Sequence, residues 1–196
     1  MNLPNQLTVS RFVLTALFLV AVFIRFPGCE TVALLLFSVA GITDFLDGRI
    51  ARQRKLITNF GILMDPLADK ILTCSAFIAF VELQRIEAWM VVVVVARELA
   101  ITGLRLLASS KNVVLAAERF GKHKTISQIV TIIVTLLALC RPEWGAFGDL
   151  VLGSRIGGRP WIDLAAEITQ WAAVALTLYS GAAYLWRNRR LYLDEM

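Results

Sequence analysis

Cysteine and histidine are scarce in this sequence, and neither is arranged for cross-linking. The chain has 196 residues, with three cysteines and one histidine. Because Cys29, Cys74 and Cys140 are far apart and mostly lie among apolar residues, the sequence predicts free packing thiols, with no disulfide framework and no zinc spacing. His123 lies in a basic segment, and we interpret it as a solvated residue or one at the edge of a substrate site.

Internal repeats, low-complexity tracts and a separate soluble segment are also lacking, so we expect one domain over residues 1–196. No basic stretch precedes the first apolar run, and "FIRFPGCE" after it is a poor cleavage site. This run is therefore expected to be a retained helix and not a signal peptide. In "NLPNQLT" ahead of it, Thr8 follows Pro4 and Asn5 and is a plausible N-cap.

Apolar residues, by contrast, are abundant and come in blocks. They make up 58% of the chain, and the mean hydropathy is +0.69, whereas soluble domains are about 45–50% apolar. Each block is close to the ~20 residues that a helix needs to cross a bilayer. The sequence predicts an all-α integral membrane protein with six transmembrane helices, in the blocks 8–26, 31–48, 62–83, 88–108, 125–141 and 163–186.

The basic residues indicate how these helices are oriented. The net charge is +5, and the bases lie between apolar blocks, so we expect anionic lipids and phosphorylated substrates as partners and no nucleic acid. Most bases fall at the two termini and in the second and fourth connections, which predicts that both termini are cytoplasmic. The segment "PEWGAFGDLVLGSRIGGRPW" is then external, and we expect a plain loop with Trp144 and Trp161 at the membrane interface.

Four aspartates stand at the facing ends of the second and third blocks. Asp44 and Asp47 are three residues apart, and Asp65 and Asp69 are four apart, so each pair lies on one helix face. An ionised aspartate at membrane depth costs at least about 2.5–3.5 kcal/mol. Because the two helices are expected to be antiparallel neighbours, the pairs converge, and a divalent cation would relieve their repulsion. Oxygen ligands favour magnesium, manganese or calcium over zinc.

Small residues and one arginine accompany the aspartates. Gly48, Ala51 and Gly61 allow a bulky ligand to approach the backbone. Arg52 follows Asp44 by about two turns, and a guanidinium beside a metal cluster suits a diphosphate. Metals that are held by carboxylates and bind phosphate oxygens are typical of phosphoryl transfer. The alternative is that these charges only form ion pairs that hold a polar hairpin together.

This stretch resembles the signature of the CDP-alcohol phosphotransferase family. The resemblance implies six transmembrane helices, a homodimer, and metal-assisted displacement of CMP from a CDP-linked substrate by an alcohol. It further implies that the first three aspartates hold two metal ions, that the fourth completes the cluster and is the general base, and that Gly48, Ala51 and Arg52 contact the cytidine diphosphate. All eight fixed positions match, in the pattern Asp44-x2-Asp47-Gly48-x2-Ala51-Arg52-x8-Gly61-x3-Asp65-x3-Asp69.

Four further stretches resemble one branch of this family: "NLPNQLTVSRF", "TNFGILMDPLADK", "ARELAITGLRLLAS" and "GKHKTISQ". Members of that branch join CDP-diacylglycerol to sn-glycerol 3-phosphate and give phosphatidylglycerophosphate and CMP. The resemblance implies an enzyme of the bacterial inner membrane whose site faces the cytoplasm and uses Mg²⁺ or Mn²⁺. The predicted topology places Asn5 and Thr8 near the cytoplasmic mouth of the site. We therefore expect them to bind CDP-diacylglycerol together with Gly48, Ala51, Arg52 and Gly61.

A second basic set fits an acceptor that carries its own phosphate. Arg97 and Arg105 are eight residues apart, about two turns, on the fourth predicted helix. Lys122 and Lys124 follow in the next cytoplasmic connection. We expect these four to bind the phosphate of glycerol 3-phosphate, with Glu98 pairing with or orienting one of them; the alternative is charge that only sets topology.

Two other readings remain open from the sequence. A sibling enzyme would use another acceptor, such as inositol phosphate, serine or phosphatidylglycerol. An ion-coupled transporter also carries intramembrane acids, but usually with inverted repeats and broken helices that this sequence lacks. A non-catalytic scaffold would not need the full acidic set.

Overall fold

The computed structural model describes residues 3–24, 26–54, 59–111 and 119–189. Within these ranges the chain is almost entirely helical, which confirms the all-α prediction. Six long helices correspond to the six apolar blocks, and most extend past their block because polar residues continue the helix at one or both ends. The elements are α1 (Leu3–Phe23), α2 (Cys29–Arg54), α3 (Asn59–Glu82), α4 (Ala88–Ser110), α5 (Arg119–Glu143), α6 (Gly145–Leu152), β1 (Arg155–Ile156), β2 (Arg159–Pro160) and α7 (Trp161–Arg187).

The segment between α5 and α7 is ordered secondary structure, so the prediction of a plain loop was wrong. It forms α6 and a two-stranded antiparallel hairpin in which Arg155 pairs with Pro160. Gly157 and Gly158 form the turn with φ of 59° and 84°, and a Gly-Gly pair is one of the few that adopts positive φ twice without strain. Trp144 and Trp161 are also more than interfacial side chains, because their indole N–H groups donate to Thr31 Oγ1 and to the Val151 carbonyl.

The N-cap predicted at Thr8 is also wrong. α1 begins at Leu3, so Pro4 lies in the first turn, where its missing N–H costs nothing. Thr8 is therefore inside the helix, and its side chain is buried.

The long helices pack around a common core. α1 lies against α2 and α3, α5 lies against α2 and α7, and α4 lies against α3 and α7. Phe18 and Phe37 meet with ring centroids 6.0 Å apart at 56°, and buried alanines such as Ala40 and Ala76 let the helices approach closely.

Several polar side chains lie inside this bundle beside the apolar core, and many large apolar side chains are exposed on its outside. Leu99, Leu106 and Ile168 are each 66–68% exposed, and apolar surface on this scale is typical of a face that contacts lipid or protein. Among the described residues, the stretch 123–143 is long and apolar enough to cross a membrane, and 8–23 is a shorter apolar stretch. The bundle is consistent with a membrane protein. Among the residues whose side chains the structure describes, the buried polar ones are Thr8, Arg11, Thr15, Lys124, Gln128, Thr131, Thr135, Gln170, Thr177 and Ser180.

Candidate active site

Asp44 on α2 is held by an arginine that the sequence did not single out as a site residue. Arg11 of α1 is fully buried, and its Nη1 donates to Asp44 Oδ1. The Asp44 side chain is 46% exposed. One side of its carboxylate therefore faces a buried cation, while the rest is open to a ligand. The sequence signal was present, since Arg11 stands inside an apolar run and an arginine there is a functional candidate.

Asp69 on α3 lies near residues of both the predicted metal site and the predicted acceptor site. Its carboxyl is partly buried, and Asp44, Arg11, Lys124 and Glu98 are all near enough to interact with it electrostatically. Side chains from five helices, α1 to α5, therefore share one region. The predicted convergence of α2 and α3 aspartates is seen for this pair.

Several predicted site residues have side chains outside the described set. Apart from Asn5 and Lys122, the predicted site residues in question have backbone positions within α2 and α3. The aspartate spacings of i, i+3 and i, i+4 therefore fall on continuous helix. Asn5 lies in the first turns of α1, and Lys122 in the first turns of α5. These residues are Asn5, Asp47, Gly48, Ala51, Arg52, Gly61, Asp65 and Lys122.

The sequence suggested that Lys122 and Lys124 lie in a connection between helices. This was wrong, because α5 already begins at Arg119. This places Lys124 on a helix face that packs into the bundle, where it is 5% exposed. Its Nζ donates to Glu98 Oε1 of α4. His123, one residue before it, is exposed as expected.

Glu98 connects two of the predicted acceptor-site cations. Its Oε1 accepts from Lys124 and lies 3.2 Å from Arg97 Nη1. All three side chains are largely buried, and a buried charge is tolerated when it is paired in this way. The expectation that Glu98 pairs with these bases agrees with the geometry.

Arg97 crosses α7 at a glycine. A Cβ added to Gly181 would lie 2.9 Å from Arg97 Cγ, which is closer than real Cβ contacts come. The guanidinium then reaches Ser180, whose Oγ accepts from Nη2 at 3.4 Å. Gly181 therefore provides the space through which Arg97 reaches this position.

Arg105 also contacts α7 but lies apart from the Glu98 group. Its Nε donates to the Tyr184 hydroxyl at 3.5 Å, and its guanidinium carbon is 5.8 Å from the centre of that ring. Arg105 is exposed, whereas Tyr184 is buried. The structure thus brings Arg97 and Lys124 together and places Arg105 nearer the end of α4.

A separate acidic group lies at the opposite end of α2. Among the residues that the structure describes, Cys29, Glu30 and Glu143 form a group whose potential metal-binding atoms lie within 4.8 Å of one another. The oxygens of Glu143 already accept from the backbone N–H groups of Glu30 and Thr31, at 3.0 and 2.9 Å. Burial and a hydrogen bond shared with Glu143 raise the pKa of Glu30. This group begins about 22 Å along α2 from Asp44, so it belongs to a different part of the molecule.

Glu143 is expected to stabilise the fold as a cap supplied by a distant helix. Glu143→Ala leaves two N–H groups of the first turn of α2 without their acceptors, and should lower the free energy of unfolding by about 1–2 kcal/mol. Thermal unfolding in detergent measures this. Glu167→Ala is the control, because Glu167 pairs only at the surface and should change stability by less than about 0.5 kcal/mol. Equal stability of the two variants would contradict the capping role.

The site is therefore a group of carboxylates and paired cations in the interior of a helical bundle. The CDP-alcohol phosphatidyltransferase family model matches residues 1–179, and the chain belongs to that family. It is 36% identical over 199 residues to the CDP-diacylglycerol--glycerol-3-phosphate 3-phosphatidyltransferase of Bacillus subtilis (strain 168), covering 95% of each chain. Proteins with the same name from Rickettsia felis and Haemophilus influenzae are 33% and 28% identical, covering 93% and 100% of this chain and 93% and 97% of theirs.

Proposed function

We propose that this chain transfers a phosphatidyl group from CDP-diacylglycerol to sn-glycerol 3-phosphate, giving phosphatidylglycerophosphate and CMP. The observation that carries this proposal is the proximity of Asp69 both to Asp44 and to the Glu98–Lys124 pair. Family membership supports the reaction class, and the names of three relatives that match over nearly their whole length support the substrates. We assign the whole of residues 1–196 to one domain.

The donor set suits a hard divalent cation. Asp44 and Asp69 offer carboxylate oxygens, and Asp44 is oriented from its buried side by Arg11, as ligands of metal sites commonly are. With Asp47 and Asp65 they would hold Mg²⁺ or Mn²⁺, two per site. Bound metal would supply neutralisation of the diphosphate charge. The CDP-diacylglycerol contacts are assigned to Asn5, Thr8, Gly48, Ala51, Arg52 and Gly61.

Asp69 is the general base in this proposal. The carboxylate takes the proton from the primary hydroxyl of glycerol 3-phosphate. The hydroxyl oxygen then attacks the phosphorus that carries the diacylglycerol, the bond from that phosphorus to the CMP oxygen breaks, and CMP leaves with the electron pair. The acceptor has three carbons, so its phosphate can contact Lys124 and Arg97 while its hydroxyl reaches Asp69. Lys122 and Arg105 complete the acceptor set.

The membrane arrangement is part of the same proposal. Six helices, α1 to α5 and α7, span the bacterial inner membrane with both termini and the site on the cytoplasmic side, and two chains form a homodimer. The exposed apolar side chains of these helices and the basic residues at the cytoplasmic ends support this orientation. CDP-diacylglycerol would enter laterally, with its acyl chains in the bilayer.

Arg105→Ala should weaken binding of the acceptor specifically. Loss of one cation from a phosphate site typically costs about 1.4 kcal/mol or more, so the KM for glycerol 3-phosphate should rise about tenfold or more. The KM for CDP-diacylglycerol should change far less. Steady-state CMP release at varied acceptor and varied donor concentrations measures both. Equal effects on the two constants would argue against an acceptor site at Arg105.

Gly181→Ala should act through Arg97. The added methyl group would force the Arg97 stem to move, so the KM for glycerol 3-phosphate should rise several-fold while kcat changes little. Gly103→Ala on α4 is the matched control, because a Cβ there meets no atom within 4 Å. If both variants keep the wild-type KM, Arg97 does not bind the acceptor phosphate from this position.

The proposed function is tested by following a radioactive label from glycerol 3-phosphate into lipid. Purified protein is mixed with CDP-diacylglycerol, Mg²⁺ and labelled glycerol 3-phosphate, and the organic phase is counted. We expect one labelled lipid for each CMP released and none after EDTA treatment. CMP release without labelled lipid would mean hydrolysis or another acceptor, and would overturn the assignment.

A further inference from the structure

A cavity of about 830 Å³ lies at the end of the bundle opposite the aspartates. It is bounded by the turn between α3 and α4, the hairpin and the first turns of α7. Glu82, the last residue of α3, lies about 20 Å along the helix from Asp69, so this cavity is separate from the proposed active site. Its volume falls within the range of small-molecule sites. Charges of both signs line it, from Arg85, Arg159, Glu87, Asp163 and Glu167.

A buried hydroxyl group without a partner lines this cavity. Thr135 of α5 is 1% exposed, and its Oγ1 has no hydrogen bond within the part of the chain that the structure describes. An unpartnered buried hydroxyl is unfavourable, so the position suits a ligand atom that accepts from it. Gln170 of α7 lines the same cavity, is 7% exposed, and its Nε2 donates to the Arg85 carbonyl at 3.0 Å. These two residues place buried polar groups in the wall of the cavity.

The charged residues of the cavity are only loosely paired with one another. Arg85 Nη1 lies 3.9 Å from Asp163 Oδ1, and Arg159 Nη1 lies 3.2 Å from Glu167 Oε2, with both side chains of the second pair more than half exposed. Exposed pairs of this kind contribute little to stability. They can therefore give way to a ligand that presents one negative and one positive group.

An apolar recess adjoins the polar cavity. The recess has a volume of about 440 Å³, includes Phe23 and Ile78 in its walls, and shares Val81 and Ala88 with the cavity. At the rim, Trp171 meets Trp89 with ring centroids 5.6 Å apart, and both are about half exposed. Tryptophan is enriched at the level of the headgroups in membrane proteins. A charged cavity beside an apolar recess at the level of the headgroups suits a molecule with a charged headgroup and an apolar chain.

We propose that this cavity binds the headgroup of a zwitterionic phospholipid. The phosphate contacts Arg85 and Arg159 and accepts from Thr135, and the ammonium group contacts Asp163 and Glu167. One acyl chain lies in the apolar recess. The proposal depends on the membrane-spanning orientation given above but not on the reaction, and it places the lipid in the leaflet opposite the substrate.

Thermal unfolding of delipidated protein with added probes tests this site. We expect short-chain phosphatidylethanolamine to raise the Tm by several degrees. Diacylglycerol, which lacks the headgroup, and free phosphoethanolamine, which lacks the chains, should each give less than half that shift. A shift as large with either of these, or a larger one with phosphatidylglycerol, would overturn the assignment to a zwitterionic lipid.

Two variants locate the site. Thr135→Val keeps the shape but removes the hydroxyl, so the lipid-free Tm should be unchanged or higher while the shift from phosphatidylethanolamine falls by at least half. Arg85→Gln should reduce the same shift, and Arg155→Gln, at an exposed position outside the cavity, should not. CMP release should stay within twofold of wild type in all three. If Thr135→Val and Arg85→Gln keep the full lipid shift, the cavity is not the binding site.

Discussion

Replacing Asp69 with asparagine is expected to abolish CMP release while leaving the protein folded. The amide keeps the size and polarity of the side chain, but it cannot accept a proton from the attacking hydroxyl. Loss of a general base costs about 10²–10⁴-fold in rate, and Asp69 is also expected to complete the metal cluster, so the loss should lie at the upper end of that range. Single-turnover CMP release measures the chemical step without a contribution from product release.

The control for this variant is Asp149→Asn. Asp149 is an exposed aspartate on α6 that pairs with Arg141 at the surface, so its replacement should leave the rate within twofold of wild type. The thermal unfolding midpoint of Asp69→Asn should match or exceed that of wild type, because the variant removes a partly buried carboxylate. Near-normal turnover by Asp69→Asn would rule out its role as the base.

Replacing Arg11 with methionine should impair turnover although Arg11 does not reach the reacting atoms. Methionine fills much of the same space, and replacing a buried charge with an apolar group of similar volume is often tolerated. The variant removes the group that orients Asp44. Loss of such an outer partner of a metal ligand typically costs 10–100-fold in metal affinity or activity. We expect a rate loss of that size and a changed Mg²⁺ dependence.

Arg11→Lys and Arg155→Met separate the possible causes. Lysine keeps the charge but lacks the planar guanidinium, so it should recover part of the activity if orientation and charge both matter. Arg155 is exposed in β1, and its replacement should have no effect. If Arg11→Met folds and turns over at the wild-type rate with unchanged Mg²⁺ dependence, the buried arginine does not position Asp44.

Features that a local sequence pattern determines were predictable. Six apolar blocks of near-bilayer length gave six helices, because length and composition determine such segments almost alone. The antiparallel arrangement predicted for the second and third helices brought Asp44 and Asp69 near each other, although each lies about ten residues inside its helix. The eight-residue spacing of Arg97 and Arg105 correctly indicated one helix face, since both side chains contact α7.

Features that depend on contacts between distant helices were not predictable from the pattern. Arg11 and Asp44 are 33 residues apart, and Glu98 and Lys124 are 26 apart, so no local rule links them. The start of α5 was misjudged because basic residues looked like a loop, although they are compatible with a helix end. The Gly157–Gly158 turn, by contrast, carried a local signal that the loop prediction overlooked.

CMP release with one acceptor at a time is the measurement that tests the central claim most directly. Purified protein receives CDP-diacylglycerol and Mg²⁺ with glycerol 3-phosphate, inositol phosphate, serine or phosphatidylglycerol. Two cations paired through Glu98 predict a phosphorylated acceptor, and the relatives support glycerol 3-phosphate, so we expect CMP release with that acceptor alone. Release that is as fast with another acceptor, or no release with glycerol 3-phosphate, would contradict the account.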